Sequence, residues 1–119
     1  MPEISLVRGD TLQLNIDCIR KQDGTLYTLT KTDRILIDVK ARETDTIAVI
    51  HKELSAADYT EDGHLPVIFY PADTEDLAVK DYFFDVRLFQ DEDNIYTIIP
   101  QSVLRIVRNI TDIPESEGG

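Results

Sequence analysis

The chain has no tryptophan, a single cysteine and only two histidines among 119 residues. Each scarcity excludes something. Cys18 has no partner for an internal disulfide, so the fold does not rest on an oxidised framework. Such a chain suits a reducing cytoplasm, or assembly there before release. Basic residues are scarce too: 12 Lys and Arg stand against 23 Asp and Glu, a formal net charge of −11. That field repels phosphate backbones and anionic membrane surfaces, which argues against nucleic-acid and membrane binding. It favours solubility and docking to a basic patch on a partner. Met1-Pro2-Glu3 lacks the basic start and apolar stretch of a signal peptide, and no apolar run approaches membrane-spanning length.

What is present is a β pattern. Hydrophobic residues make up 42% of the chain, enough for one domain to bury a core without staples. Leu12, Leu14, Ile16 and Cys18 alternate with Gln13, Asn15 and Asp17, the cleanest half-buried strand in the sequence. Asp23-Gly24 then marks a turn, because glycine accepts positive φ, and residues 26–29 can pair back. Residues 34–40 place Ile35, Ile37 and Val39 on one face and Leu36 on the other. Residues 47–54 read as a strand with Ile47, Val49 and His51 in phase. Residues 56–63 are polar and end in Asp62-Gly63, a loop or hairpin tip. Residues 65–70 are β-rich, with Pro66 near the start, where a strand tolerates it.

The pattern breaks over 71–80. Here Asp73 or Thr74 offers a cap for one or two helical turns, predicted near 73–78. Tyr82, Phe84, Val86 and Leu88 then alternate with Phe83, Asp85, Arg87 and Phe89. Asp91-Glu92-Asp93-Asn94 is a hairpin tip, residues 95–99 return, Pro100-Gln101 interrupts, and residues 103–110 form a last strand. The expectation is an all-β domain over 1–111: an immunoglobulin-like antiparallel β-sandwich of roughly seven to eight strands with one short helical turn. Residues 112–119 are expected to be a flexible tail. The predicted core includes Leu14, Ile16, Ile37, Val39, Phe84, Val86 and Ile106.

Chemistry-bearing patterns are sparse. Arg8-Gly9-Asp10 spells the tripeptide that integrins read, but it sits between two apolar runs and reads better as a kink where the chain changes sheets. His51 and His64 fall on different segments without metal-site spacing, although Asp58, Glu61 and Asp62 lie between them. The acidic runs 73–76 and 91–94 lack the spacing of a calcium loop and suit solvated tips, which leaves a calcium ion shared between loops as the alternative. Cys18 is in phase with core residues, which predicts an inert thiol. There is no Gly-x-Ser-x-Gly elbow and no Gly-rich phosphate loop. The expectation is no catalytic residues, no cofactor and no metal. Phe83 and Phe89 share the strand face opposite Tyr82 and Phe84, which makes them the candidate interface. The short helix, a partner or a stacked sugar are the groups that would cover them.

The runs Val7-Arg8-Gly9-Asp10-Thr11-Leu12, Asp23-Gly24-Thr25-Leu26-Tyr27-Thr28-Leu29-Thr30 and Ile37-Asp38-Val39-Lys40 resemble the N-terminal domain of phage upper baseplate proteins and related stand-alone prophage proteins. Tyr82-Phe83-Phe84-Asp85-Val86-Arg87-Leu88, Ile95-Tyr96-Thr97 and Val107-Arg108-Asn109-Ile110-Thr111 continue the similarity. The resemblance implies an immunoglobulin-like sandwich that attaches parts of a host-recognition apparatus to a tail. It also implies a virion component assembled in the bacterial cytoplasm, with other phage structural proteins or copies of itself as partners. A full baseplate protein would continue into a stalk; this chain is expected to be the domain alone. A carbohydrate- or surface-binding β-sandwich module is the alternative, and gene neighbourhood would separate the two.

Overall fold

The structure is a computed structural model that describes residues 3–20 and 22–108. Nine strands are present among the described residues: β1 (Glu3–Val7), β2 (Leu12–Asn15), β3 (Cys18–Ile19), β4 (Leu26–Tyr27), β5 (Arg34–Lys40), β6 (Ile50–Ser55), β7 (Pro66–Phe69), β8 (Asp81–Phe89) and β9 (Ile95–Val107). One α-helical turn, α1 (Pro71–Thr74), joins β7 to the segment before β8, and a 3-10 turn at Ala56–Asp58 follows β6. Five strands form one sheet in the order β1-β9-β8-β5-β6, while β2 pairs with β7 and β3 with β4 in two small ribbons.

The alternation of β5 and β8 decides the inner face of the large sheet. Ile35, Ile37 and Val39 sit across from Leu88, Val86 and Phe84, and all six are buried. Leu6, Leu104 and Ile106 extend that face toward β1, and Ile50 and Leu54 toward β6. Val67 and Phe69 from the β2–β7 ribbon join the same cluster, as do Leu65, Ile16, Cys18 and Leu29. Burying each large apolar side chain is worth about 1.5–3 kcal/mol, so this one core holds the ribbons against the sheet. The Arg8-Gly9-Asp10 kink carries the chain from the large sheet to β2. Gly9 has φ 84°, and the Asp10 amide donates to the Val7 carbonyl at 3.0 Å. The Gly9 amide donates to Thr74 Oγ1 at 2.9 Å, which fastens the kink to α1.

Several expectations are corrected. The sheet is not purely antiparallel: β1 runs parallel to β9. A parallel pair needs a long crossover, and here the whole intervening chain supplies it. The strand expected over 12–18 is two short strands in different ribbons, β2 and β3, parted at Ile16-Asp17. Leu14 is accordingly only partly buried, while the other six predicted core residues are buried. The 47–54 phase is wrong at its start. Ile47 is 80% exposed and Val49 39%, and the strand begins at Ile50, whose side chain is buried with that of Leu54. The reason is the bend before it, where the Val49 amide donates to the Val39 carbonyl at 2.7 Å.

Pro100 does not end a strand. β9 continues through it because the β8–β9 register slips between Phe84 and Val86 and again between Val86 and Arg87. Proline is tolerated at such bulges because no ladder hydrogen bond is required of it there. The helical turn also begins earlier than 73–78, with Pro71 at its first position, where a missing N–H costs nothing. Asp73 accepts from the Tyr70 amide at 2.7 Å, so it caps from inside the turn and is not itself the N-cap. The last strand ends at Val107 among the described residues. The tail expected at 112–119 lies outside the described residues.

Candidate functional site

β8 presents the predicted interface residues as its period requires. Phe83 and Phe89 stand on the outer face of the large sheet, across from buried Tyr82, Phe84 and Leu88, and each is half-buried. The structure brings them together: both line a shallow pocket of about 200 Å³ with Leu36, Asp38, Lys40 and Arg87. The Arg87 guanidinium lies 5.4 Å from the centre of the Phe89 ring, a cation–π distance. Cover by the short helix is ruled out. Lys52 stands opposite buried Ile37, its ammonium donates to Asp73 at 2.7 Å, and α1 is thereby held on the inner side of the sheet.

The histidines are placed apart. His51 pairs through Nδ1 with Asp38 across β5–β6, on the outer face. His64 lies in the loop before β7, where its amide donates to Thr60 Oγ1. Among the described residues no group of three or more His, Cys, Asp and Glu side chains gathers to hold a metal ion.

In each acidic run one carboxylate, Asp73 or Asp91, bonds to the backbone of its own turn. Asp91 accepts from the amides of Asp93 and Asn94 at 2.8 and 2.9 Å and from the Asn94 side chain. These bonds, the Asn94 side chain first, hold the Asp91 carboxyl below its ordinary pKa. Asp73 serves Tyr70 and Lys52, as above. Cys18 is buried, and burial first, then the charges of Asp17 and Asp33, raises its thiol pKa. A raised pKa keeps the thiol protonated and poorly nucleophilic.

A second surface was not anticipated. Between the β3–β4 ribbon and the start of β9 lies a groove of about 670 Å³, lined by Cys18, Ile19, Tyr27, Leu88, Tyr96 and Ile98 among others. Ile19 is 55% and Tyr96 50% exposed at its mouth. Its back wall is polar and ordered. Tyr27 donates its hydroxyl proton to buried Asp33 and accepts from Gln90 Nε2 at 3.1 Å. Asp33 also accepts from the Thr30 amide at 2.9 Å. The walls come from residues more than sixty positions apart, so no local pattern pointed to the groove. The one sequence signal was Ile19, a large apolar residue out of phase with the Leu12 to Cys18 alternation.

No family model matches this chain, and no curated protein matches it as a relative. The structure itself defines a β-rich domain built on a five-stranded sheet with two small ribbons and one helical turn. No helix among the described residues is long and apolar enough to cross a membrane.

Proposed function

We propose that this chain is a non-enzymatic attachment module of a phage or prophage particle, acting through protein–protein contacts in a tail or baseplate. On this reading the large sheet and the β2–β7 ribbon are the two layers of a modified immunoglobulin-like sandwich. The observation that carries it is the outer face of the large sheet. Phe83 and Phe89 occupy that face beside Leu36, half-buried in a shallow pocket bordered by Glu43 and Gln101. An apolar patch framed by charges suits a protein partner. The resemblance of the short runs from Val7–Leu12 to Val107–Thr111, set out above, to phage upper baseplate domains supplies the particle context. The carbohydrate-binding alternative draws less support, because both rings are half-buried and Arg87 already covers Phe89.

The test is sedimentation of the full chain at low and high salt, with and without Phe83→Ser and Phe89→Ser. A homo-oligomer strengthened by salt, as screening of the −11 charge requires, and weakened by the substitutions supports contact between copies. A strict monomer leaves an external partner. In that case the tagged protein should be found in particles released from its bacterial host, and its absence from them would overturn the reading.

A further inference from the structure

The groove between the β3–β4 ribbon and β9 adjoins an open strand edge. β9 pairs with β8 from Ile95 to Arg105, but β1 covers its other edge only from Val103 to Val107. Residues 95–102 therefore carry an edge that no strand among the described residues pairs. The groove is lined by four consecutive β9 residues, Ile95, Tyr96, Thr97 and Ile98. The groove also touches Leu88 and Gln90, and Ile98 is the extra residue of a bulge, so the groove lies over the β8–β9 sheet face and runs out to the unpaired edge at Ile95 to Ile98. Opposite, Cys18 and Ile19 of β3, the flanking Asp17 and Arg20, and Tyr27 of β4 line it. β3 pairs with β4 on one side only. The open edge of β9 and the β3–β4 ribbon thus border one groove of mixed apolar and polar lining, and four residues of edge run about 13 Å. Pro100 has no N–H to offer, which confines an added strand to the stretch before it.

The surrounding charge says what fits. Asp17 lines the groove, Asp23 sits in the β3–β4 turn, and Asp91, Glu92 and Asp93 form the hairpin that opens directly into Ile95. Arg20 is the one cation among the described lining residues, and it is committed: it donates to Thr25 Oγ1 at 3.2 Å and lies 5.3 Å from the Tyr27 ring centre. A second copy of this chain would bring the same acids, so like charge opposes it. We infer that the groove takes an extended segment of a partner protein, with apolar residues at alternate positions and Lys or Arg at its ends, added to β9 as a further strand. Main-chain hydrogen bonds to Ile95–Ile99 would supply the binding, the groove would seat the alternate side chains, and the acidic rim would set the preference for basic ends. This rests on the attachment reading and names the contact it would use.

The experiment is hydrogen exchange of the full chain with a set of synthetic peptides. Each alternates threonine with valine, isoleucine, leucine or phenylalanine and carries two lysines at each end. Matched sets carry glutamates at the ends, or N-methylated backbone. The expected result is slowed exchange at the β9 amides between residues 95 and 99 with lysine-ended peptides, and loss of that protection with N-methylated ones. Affinity should fall by at least about tenfold for glutamate ends or on Ile19→Lys, an exposed site where folding is preserved. Failure of every lysine-ended peptide to protect β9, or equal binding by glutamate-ended ones, would overturn the inference. Either failure leaves the particle association of the protein, and with it the attachment reading, to stand or fall by its own assay.

Discussion

The phenol of Tyr27 donates to the carboxylate of Asp33, and Asp33 is 2% exposed. One hydrogen bond therefore joins the β3–β4 ribbon to the start of β5, and Gln90 adds the β8–β9 hairpin to the same oxygen. Removing the phenol deprives a buried carboxylate of a donor, which costs about 1–3 kcal/mol, or more for a charged group. Tyr27→Phe is expected to lower the urea midpoint and to speed hydrogen exchange in the ribbon first. An unchanged midpoint would show that Asp33 is satisfied without it.

Three groups make stability fall on the alkaline side. The Cys18 thiol is raised above its ordinary 9.0, chiefly by burial. The Tyr27 phenol is raised above 10.0 first by its bond to Asp33 and then by burial. The Tyr82 phenol is raised above 10.0 by burial. In each case the folded chain holds its proton at a pH where the unfolded chain releases it. The stabilisation is complete below the unfolded pKa and is lost as pH rises through the folded one. Chemical denaturation from about pH 8 to about pH 11 should show a decline that starts near the thiol pKa, and Cys18→Ala should remove its earliest part. Cys18 should also label slowly with a thiol reagent in the native state and rapidly once unfolded; fast native labelling would place it on the surface.

Burial separates two isoleucines that period-two reading treats alike. Ile106 is 0% exposed in the core, and Ile47 is 80% exposed before β6. Ile106→Ala should cost about 2–5 kcal/mol, and Ile47→Ala should stay within about 0.5 kcal/mol. Equal midpoint shifts for the two would show that residues 47–54 pack as one strand after all.

These contrasts mark where sequence and structure part. β5 and β8 were legible because both carry an uninterrupted alternation and pair with each other, so Ile37, Val86 and Phe84 fell on the inner face as expected. The outward placement of Phe83 and Phe89 followed from the same period. The start of β6 was misread because apolar residues alternate through a bend, and alternation is blind to where the hydrogen bonds begin. The direction of β1 was hidden because inward and outward positions repeat every two residues in parallel and antiparallel pairs alike. Pro100 was taken for a break because a bulge depends on the partner strand's register. The acceptor groove was least visible of all. It joins Ile19 to Tyr96 through tertiary packing, and nothing near either residue announces the other.

The kink at Gly9 supplies the last prediction. Thr74 is 0% exposed, and its hydroxyl accepts the Gly9 amide, while Arg8 reaches the Leu77 carbonyl at 3.3 Å. The tripeptide Arg8-Gly9-Asp10 is thus fastened to α1 and its C-terminal flank, and it serves as the corner between β1 and β2. Thr74→Val keeps the volume but removes the acceptor, leaving a partly buried N–H unpaired at a cost of about 1–3 kcal/mol. Thr74→Ser keeps the hydroxyl and should lose less. Gly9→Ala adds a different penalty, since φ 84° is a left-handed conformation that costs an L-residue about 1–2 kcal/mol. A Cβ there meets no atom within 4 Å, so the loss should come from backbone strain alone. Thermal or urea unfolding of the three variants should rank Thr74→Ser above Thr74→Val in stability, with Gly9→Ala below the parent. Thr74→Val matching Thr74→Ser would mean that the hydroxyl does not hold the corner.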